Sequence, residues 1–410
     1  MKSPAIETVV RINRRAATRL RQGHVWVYRS DLSEQSAASA AAGAEGDGLP
    51  PGSLVSVCDE RGNLIGTALH SSSSQIVLRM ISTGPVAADG LPALVRERLI
   101  SAIAYRRQLL TEEVHGNACR LAFSEADFLP GLVVDRYNDI LAVQILAQAM
   151  DQSAVRDAVV ETLVEQLKPA GIVERVDARI RELEALPVRE SGLLWGEKTE
   201  TVFTLNDVRF HYDSGSGQKT GAFLDQRENY AAAARHGGGD ALDVFSYEGG
   251  FALHLARSCR SVTAVDSSRA ALESAERNEL LNPGFAPVEW MEANAFDLLR
   301  DYAASGRQYD IIVLDPPAFT KTKRELPSAL RGYKELNLRA LKMLRPGGVL
   351  VTCSCSYHVG EADFIDMLRA AAADVRRTPR LLEKRGQAVD HPVLLTVPET
   401  AYLKCVILQV

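Results

Sequence analysis

The 410-residue sequence lacks the features of membrane-spanning, secreted and disulfide-stabilised proteins. No apolar run approaches the roughly 18 residues that a transmembrane helix requires. The first 30 residues carry many arginines and no hydrophobic block, unlike a secretory signal. The six cysteines form no CxxC pair and no Cys/His cluster at zinc-ligand spacing, which excludes a disulfide framework and predicts no metal. We therefore expect a cytoplasmic protein that has no membrane partner.

A dinucleotide-binding glycine motif is also missing. The sequence contains no GxGxxG, and the glycine-containing stretch at 245–251 reads Phe-Ser-Tyr-Glu-Gly-Gly-Phe. Three spaced glycines normally let the backbone cradle a pyrophosphate. Their absence disfavours a dehydrogenase that uses NAD.

The charge is unevenly distributed along the chain. The formal net charge of −5 argues against a nucleic-acid partner, yet residues 1–30 contain seven basic side chains and one acidic side chain. Such a cluster is either a solvated basic face or a phosphate-binding surface. Both interpretations stay open on charge alone, and the candidate phosphate-binding side chains are Arg11, Arg14, Arg15, Arg19, Arg21 and Arg29.

Patterns of apolar residues divide the chain into three predicted domains. Residues 1–83 contain short strand-like runs and predict a small, mostly β domain with a mobile, low-complexity loop at 33–52. Residues 84–200 predict an α+β domain with helices near 91–110 and 151–168. In residues 201–410, short runs rich in Val, Ile and Leu alternate with helical segments. This alternation predicts an α/β, Rossmann-like domain with an open, mostly parallel sheet.

Polar groups follow three predicted strands of the C-terminal domain at their carboxyl ends, where ligands of such sheets bind. The first strand ends at Asp243, with Gly249 and Gly250 at the start of the next helix. The glycines would let a ligand approach the backbone. Asp266 ends the second strand and suits ribose hydroxyls, and Asn294 follows the third and could read an adenine edge. This ordered set fits S-adenosylmethionine.

The next two strand ends carry groups suited to covalent catalysis. A rigid Asp315-Pro-Pro-Ala-Phe319 turn fixes the Asp315 carboxylate. Strand alternation places Cys353 and Cys355 on the same side, either as buried structural cysteines or with Cys355 as a nucleophile. A thiolate that adds to C6 of a pyrimidine makes C5 able to attack a methyl group. Asp315 would then hydrogen-bond the N3/N4 edge of cytosine.

Several motifs together point to a known family: Gly217-Gln-Lys-Thr-Gly-Ala-Phe-Leu-Asp-Gln-Arg227, Phe245-Ser-Tyr-Glu-Gly-Gly-Phe251, Asp315-Pro-Pro-Ala-Phe319, Arg331-Gly-Tyr-Lys-Glu-Leu-Asn337, Ser354-Cys-Ser356, Asp390-His-Pro392 and Tyr402-Leu-Lys404. Over almost its whole length, the chain resembles the bacterial large-subunit ribosomal RNA cytosine-C5 methyltransferases that carry an N-terminal PUA domain.

The resemblance implies a PUA-type RNA-binding barrel in residues 1–83 and a middle domain that helps to form an RNA cleft. It implies that Cys355 is the nucleophile, with 23S rRNA or a large-subunit assembly intermediate as substrate, and it allows for a homodimer. The segment at 217–227 would close over the methionine part of the cofactor. The residues assigned to S-adenosylmethionine by the resemblance and by the strand ends are Lys219, Thr220, Phe223, Asp225, Arg227, Asp243, Phe245, Ser246, Tyr247, Gly249, Asp266, Ser267, Asn294, Ala295 and Asp315.

Two alternatives remain at the level of sequence. The first is an rRNA methyltransferase of the same fold that acts on a purine or an exocyclic nitrogen, with structural cysteines. Enzymes that methylate exocyclic amines often carry an aromatic residue directly after the two prolines, where this chain has Ala318. The second is a non-catalytic RNA-binding or assembly factor that retains S-adenosylmethionine. The presence of both Cys355 and Asp315 argues against it.

Overall fold

The computed structural model describes residues 8–34, 36, 49–215, 221–320 and 322–410. Lys219 and Thr220, together with most of the predicted loop at 33–52, lie outside the described residues. The strands are β1 (Val9–Arg11), β2 (Trp26–Tyr28), β3 (Leu54–Cys58), β4 (Leu64–His70), β5 (Ile76–Ser82), β6 (Ala118–Phe123), β7 (Leu132–Tyr137), β8 (Ile140–Ile145), β9 (Gly171–Glu174), β10 (Gly192–Gly196), β11 (Glu200–Leu205), β12 (Val208–Asp213), β13 (Asp240–Val244), β14 (Ser261–Asp266), β15 (Val288–Glu292), β16 (Tyr309–Leu314), β17 (Leu344–Ser354), β18 (Arg380–Arg385) and β19 (Lys404–Gln409).

The helices are α1 (Arg14–Arg21), α2 (Leu91–Leu109), α3 (Glu112–His115), α4 (Ser153–Leu167), α5 (Ala178–Leu183), α6 (Arg227–Ala234), α7 (Gly250–Ala256), α8 (Arg269–Leu280), α9 (Ala295–Ala304), α10 (Leu326–Met343) and α11 (Glu361–Asp374). The predicted helices at 91–110 and 151–168 correspond to α2 and α4 within two residues at each end. None of these helices is long and apolar enough to span a bilayer.

The N-terminal domain is built on a sheet whose described strands follow the order β1-β3-β4-β5-β2. The basic segment forms α1, a helix that the sequence patterns did not predict. Asn13 caps this helix by accepting a hydrogen bond from the Ala16 N–H at 2.9 Å. Only Ala16, Ala17 and Leu20 bury their side chains against the sheet, so most of the arginines face outward or lie at the rim.

The middle domain contains a second sheet with the described order β10-β9-β8-β7-β6. Helices α2 and α4 cover one face of this sheet and share one apolar core with it. The hairpin of β11 and β12 then leads into the C-terminal domain. Its buried side chains Phe203 and Tyr212 pack with Tyr137 of the middle domain and in the same core as Phe251 of α7. This shared core joins the two domains.

The C-terminal sheet has the order β15-β14-β13-β16-β17-β19-β18 in the described part of the chain. The five strands from β15 to β17 in this order are parallel, and β19 is antiparallel to both of its neighbours. Consecutive residues Ala241 and Leu242 of β13 belong to apolar cores on opposite faces. The predicted Rossmann-like architecture is confirmed. Strand β18 was not predicted because an edge strand reading RLLEKR lacks the apolar density of its neighbours.

The segment at 390–400 connects the three domains. Val397 is fully buried in the core of the N-terminal domain, and His24 lies 3.4 Å from the Glu399 carboxylate. In the same segment, the Asp390 carboxylate accepts hydrogen bonds from Arg120 of β6 at 2.9 Å and from Arg227 of α6 at 3.0 Å. The N-terminal domain is therefore anchored to the C-terminal domain by buried contacts.

Candidate active site

Four predicted site residues meet at one edge of the C-terminal sheet. Parallel pairing aligns Asp243 with Val313, so β13 and β16 end at the same level. Asp315 follows directly, and its N–H lies 3.3 Å from the Val244 carbonyl oxygen. Strand β14 ends at Asp266, and Cys355 comes one residue after β17. Parallel strands thus bring together groups that lie more than one hundred residues apart in sequence.

Asp243 is a fully buried carboxyl group that the protein leaves unsatisfied. Neither of its side-chain oxygens has a hydrogen-bond partner within the described residues. Burial raises its pKa well above the usual range, and the nearby Asp315 adds to this effect, while the nearby backbone N–H of Ala252 opposes it. The Ser246 hydroxyl, also buried, lacks a partner among the residues described. Unsatisfied buried polar groups are costly, so these atoms fit the polar part of a bound ligand.

The loop after β13 is held in an uncommon conformation. Phe245 and Tyr247 adopt positive φ angles of 69° and 49°. The N–H groups of Phe245 and Ser246 both donate to the carbonyl oxygen of Val265, at 2.8 and 3.0 Å. The N–H of Tyr247 donates to the Asp266 carboxylate at 3.0 Å. These bonds fix the loop to β14 and position it beside Asp243.

The two glycines of this loop make room for the protein's own aromatic side chains. A Cβ atom at Gly249, whose φ is +87°, would lie 2.8 Å from the ring of Trp290. A Cβ atom at Gly250 would lie 2.5 Å from the ring of Tyr230. Internal packing at both positions and a left-handed backbone at Gly249 require these glycines, and their role in letting a ligand approach the backbone stays a prediction.

Asp266 lies where a ribose-binding carboxylate was expected. One of its oxygens accepts the Tyr247 N–H, and the other accepts the Ser268 N–H at 2.9 Å. Each carboxylate oxygen can accept two hydrogen bonds, so both retain capacity for a ligand hydroxyl. The neighbouring Ser267 is exposed at the same strand end.

Asn294 has a structural task that the sequence patterns did not reveal. Its side-chain oxygen caps α9 by accepting the N–H groups of Phe296 and Asp297, at 3.0 and 3.3 Å. The next residue, Ala295, begins the helix and is buried. The side-chain oxygen is therefore engaged within the protein, and the role of Asn294 in reading an adenine edge stays a prediction.

The described part of the 217–227 segment lies over the loop after β13. The Phe223 ring packs edge-on against the Tyr247 ring, with centroids 5.0 Å apart. The Asp225 carboxylate accepts a hydrogen bond of 2.6 Å from the Tyr402 hydroxyl. These contacts agree with the idea that the segment covers the cofactor side of the site.

Arg227 does not face this site. Its side chain is fully buried, and its guanidinium pairs with the Asp390 carboxylate at 3.0 Å and approaches the Ala118 carbonyl oxygen at 3.4 Å. The prediction that Arg227 contacts the cofactor is corrected accordingly. The residue instead joins the C-terminal domain to β6 of the middle domain, through a buried ion pair.

Asp315 is set up to hold a proton near neutral pH. Burial raises its pKa to about 7, and the nearby Asp225 carboxylate contributes to the increase. Gln226 donates a hydrogen bond of 2.9 Å to Asp315, which partly opposes the shift. A carboxyl group with this pKa can give up and recover a proton at physiological pH.

Both serines that flank Cys355 are tied to one tyrosine of α10. The Ser354 hydroxyl donates to the Tyr333 hydroxyl at 3.0 Å, and the Ser356 hydroxyl lies 2.9 Å from the same oxygen. Ser356 also accepts the N–H of Phe319 at 3.1 Å, which connects the Asp-Pro-Pro turn to the end of β17. The backbone on each side of Cys355 is thereby fixed, while its side chain is partly exposed.

The two cysteines expected on the same side of a strand have different environments. Cys353 is fully buried in β17 and pairs in register with Cys405 of β19. Burial raises its thiol pKa well above the usual range, and Cys405 adds to this effect. Cys355 lies beyond the last residue of β17, so strand alternation does not govern its direction. Cys353 thus has the burial of a structural cysteine, whereas Cys355 can be reached from the site.

Family models match two parts of this architecture. Residues 10–83 match a PUA-like domain, and residues 128–406 match an S-adenosylmethionine-dependent methyltransferase. The chain belongs to the S-adenosylmethionine-dependent methyltransferase family. Its cofactor is therefore S-adenosylmethionine, as predicted.

Similar proteins cover nearly the whole methyltransferase chain. Ribosomal RNA large subunit methyltransferase I of Yersinia pseudotuberculosis is 34% identical over 386 residues, 93% of this chain and 94% of the relative. The protein of the same name from Yersinia pestis has the same identity and coverage. A methyltransferase structure complexed with SAH covers 98% of this chain and all of its own, with a TM-score of 0.80 and 18% identity. A methyltransferase from Streptococcus mutans matches with the same TM-score and 19% identity.

The PUA-like domain of this methyltransferase carries the predicted arginine cluster, but the arginines differ in the partners of their guanidinium groups. Arg19 and Arg21 form ion pairs of 2.6 Å with Asp31 and Asp59. The Arg11 and Arg29 side chains donate to backbone carbonyl oxygens at 3.3 and 3.0 Å. Arg14 and Arg15 are exposed, and their guanidinium groups form no ion pair or hydrogen bond within the described ranges. Thr18, Arg19 and Gln22 join them in lining an open cavity of about 590 Å³.

Three side chains of the candidate site were not assigned a role from sequence. Gln226 binds Asp315, Tyr333 binds both serines, and Lys404 donates to the carbonyl oxygen of Ser356. Each lies in a motif that carries the family resemblance, which was the available signal. Their roles depend on contacts between distant segments, so the motifs alone did not reveal them.

Proposed function

We propose that this methyltransferase transfers a methyl group to C5 of a cytosine in large-subunit ribosomal RNA, through a covalent adduct with Cys355. The observation that carries the proposal is the partly exposed Cys355 thiol, held beside the Asp315 turn at the carboxyl end of β17. The names of the Yersinia relatives support the choice of large-subunit rRNA. Acting on 23S rRNA or on an assembly intermediate, the protein would work in the cytoplasm.

The residues at the ends of β13 and β14 are suited to hold S-adenosylmethionine. Asp243 and Ser246 offer buried oxygens that lack a protein partner in the described structure, and Asp266 keeps capacity for ribose hydroxyls. The Phe223 and Tyr247 rings would cover the same side. When bound, the cofactor supplies an electrophilic methyl group.

The chemistry at the other half of the site follows from Cys355 and Asp315. The Cys355 thiolate adds to C6 of cytosine, and the resulting negative charge moves toward C5 and N3. Asp315 can donate a proton to N3, because burial raises its pKa to about 7. C5 then acts as the carbon nucleophile. After methylation, solvent water accepts the C5 proton as the C5–C6 double bond forms and the thiolate is expelled, and N3 returns its proton to Asp315.

The PUA-like domain supplies the surface for the RNA backbone in this proposal. Arg14 and Arg15 have no acidic partner in the described structure, so they can bind phosphates without breaking an ion pair. Contacts of Val397 and Glu399 hold this domain against the methyltransferase domain. RNA bound at α1 would thus have a defined position relative to Cys355.

The decisive experiment is Cys355→Ala with Cys353→Ala as its matched control. Methyl transfer to 23S rRNA and to assembly intermediates is measured, and the product nucleoside is identified by mass spectrometry. We expect 5-methylcytosine from the wild type, a loss of at least about 1,000-fold in Cys355→Ala, and retained chemistry in Cys353→Ala. Undiminished 5-methylcytosine in Cys355→Ala would refute the proposed nucleophile.

The same assay separates the alternatives. Methyl groups on a purine or on an exocyclic nitrogen would establish a different target atom with structural cysteines. A wild-type protein that binds S-adenosylmethionine and RNA but never consumes the cofactor would establish a non-catalytic factor. Activity lost in Cys353→Ala and kept in Cys355→Ala would move the nucleophile to the buried position.

A further inference from the structure

Lys404 places an ammonium group beside the end of β17. The residue begins β19 and pairs in register with Ser354 of β17. Its Nζ atom donates hydrogen bonds to the carbonyl oxygens of Ser356 at 2.7 Å and of Tyr402 at 2.9 Å. Because Ser356 directly follows Cys355, these bonds hold a positive charge at the strand end that carries the thiol.

Two titratable groups from neighbouring elements interact electrostatically with the Cys355 thiol: Lys404 of β19 and Tyr333 of α10. The Tyr333 hydroxyl is neutral at physiological pH, and burial raises its pKa further above the ordinary value. The same end of the sheet carries Asp315 directly after β16, and Tyr357 and His358 follow the thiol along the chain. Of Lys404 and Tyr333, only Lys404 is a cation.

The partly buried position of Lys404 disfavours the charged form of its amine. Burial lowers its pKa to about 8, and the interaction with Cys355 opposes this decrease. Even so, most of the Lys404 population is protonated at pH 7. A neutral amide would donate to the same two carbonyl oxygens without desolvating a charge. The positive charge itself, rather than hydrogen bonding alone, is the property that distinguishes lysine at this position.

We propose that the Lys404 ammonium stabilises the Cys355 thiolate and so raises the reactive fraction of the nucleophile at neutral pH. An ordinary cysteine is only a few per cent ionised at pH 7, and a nearby cation lowers the pKa of a thiol. The inference rests on the proposed function of Cys355. In it, Lys404 is a positioning residue that acts through the cysteine and makes no contact with the substrate.

The test measures the thiol in the full-length protein without RNA and without cofactor. The alkylation rate of Cys355 by iodoacetamide is followed from pH 5.5 to 9.5 by mass spectrometry of its peptide. Lys404→Gln keeps a donor and loses the charge, and Lys404→Met loses both. We expect the midpoint of the pH profile to rise by about one pH unit in each variant, which makes alkylation at pH 7 roughly tenfold slower.

Two further variants serve as controls. Lys334→Met removes an exposed lysine that pairs with Asp374 at 2.8 Å, and it should leave the profile unchanged. Lys404→Arg keeps a positive charge and should restore most of the wild-type profile, which separates the charge from local packing. Thermal unfolding identifies any variant that fails to fold. If Lys404→Met does not fold, the midpoints of the Lys404→Arg and Lys404→Gln profiles are compared.

The inference is overturned when Lys404→Gln has the wild-type midpoint, because the charge then does not act on the thiol. It is also overturned when Lys404→Met shifts the midpoint and Lys404→Gln does not, because the role is then purely structural. Since the assay contains no RNA, these outcomes are independent of the Cys355→Ala result. Failure of the proposed nucleophile and failure of this inference are thus distinguishable.

Discussion

The parallel strands of the C-terminal sheet begin at one edge, the amino edge, and end at the other, the carboxyl edge. Carboxyl groups at these two edges have opposite electrostatic environments. At the amino edge, Asp240 binds Arg260 at 2.6 Å and Arg345 at 3.0 Å, and Arg345 also pairs with Asp310. At the carboxyl edge, neither Asp243 nor Asp315 has a basic partner among the described residues.

The comparison is sharpest within β13 itself. Asp240 and Asp243 are only three residues apart on one strand. Hydrogen bonds from Arg260 and Ser261 lower the pKa of Asp240 to about 2. In contrast, burial raises the pKa of Asp243. A carboxyl group paired with arginine stabilises the fold. A carboxyl group that is buried without a partner carries a desolvation penalty, and binding of a cationic ligand can offset this penalty. The difference distinguishes an edge with ion-paired carboxyl groups from the edge that we propose binds the ligand.

The largest effect is expected from Asp243→Asn. The variant keeps the shape of the side chain and loses its ability to carry negative charge, so we expect binding of S-adenosylmethionine to weaken about 10- to 100-fold in isothermal titration calorimetry. The ligand-free variant should be at least as stable as the wild type, because an unsatisfied buried carboxyl has been replaced.

Asp240→Asn is the matched control for this prediction. It should lower the free energy of unfolding by about 1 kcal/mol through weakened ion pairs and leave cofactor affinity unchanged. Equal effects of the two substitutions on affinity would remove the distinction between the two edges.

A smaller effect is expected from Tyr333→Phe, on the nucleophile half of the site. Loss of the hydroxyl removes the bonds to Ser354 and Ser356, which should cost about 1–3 kcal/mol of stability. We expect methyl transfer to slow roughly tenfold because the Cys355 backbone loses its support. Cofactor affinity, measured by calorimetry, should not change.

Tyr302→Phe is the corresponding control, since that hydroxyl contacts Met291 at 3.5 Å and lies on α9. It should leave the methyl-transfer rate intact. If the two tyrosine variants slow methyl transfer equally, the hydrogen bonds to the serines have no special role in positioning Cys355.

The smallest effect is expected from substitutions of arginines in the PUA-like domain, where the comparison is between cations with and without an ion-pair partner. Arg14 and Arg15 have no ion-pair partner in the described ranges, whereas Arg21 pairs with Asp59. We expect the double variant Arg14→Gln/Arg15→Gln to bind rRNA about three- to tenfold more weakly and with a shallower salt dependence in filter-binding assays. Arg21→Gln should change RNA affinity less. The reverse order would show that ion pairing on α1 does not select the RNA-binding arginines.

Much of the site could be predicted because strand ends are visible in sequence. Short apolar runs located Asp243, Asp266 and Asp315 at the ends of β13, β14 and β16, and the topology of a parallel sheet required them to meet. The role of Arg227 was not predictable in the same way. Its partner Asp390 is 163 residues away, and nothing in the local pattern distinguishes an arginine that faces a ligand from one in a buried ion pair.

The sequence by itself determined the α/β architecture, the cofactor class and the candidate nucleophile, because hydrophobic periodicity and short motifs are local properties. Only the tertiary structure decided which polar groups are satisfied. It assigned Asn294 to a helix cap, Gly250 to the Tyr230 ring and Lys404 to the end of β17. Hydrogen-bond satisfaction and burial depend on segments that meet only after folding, so they were not available from the order of residues alone.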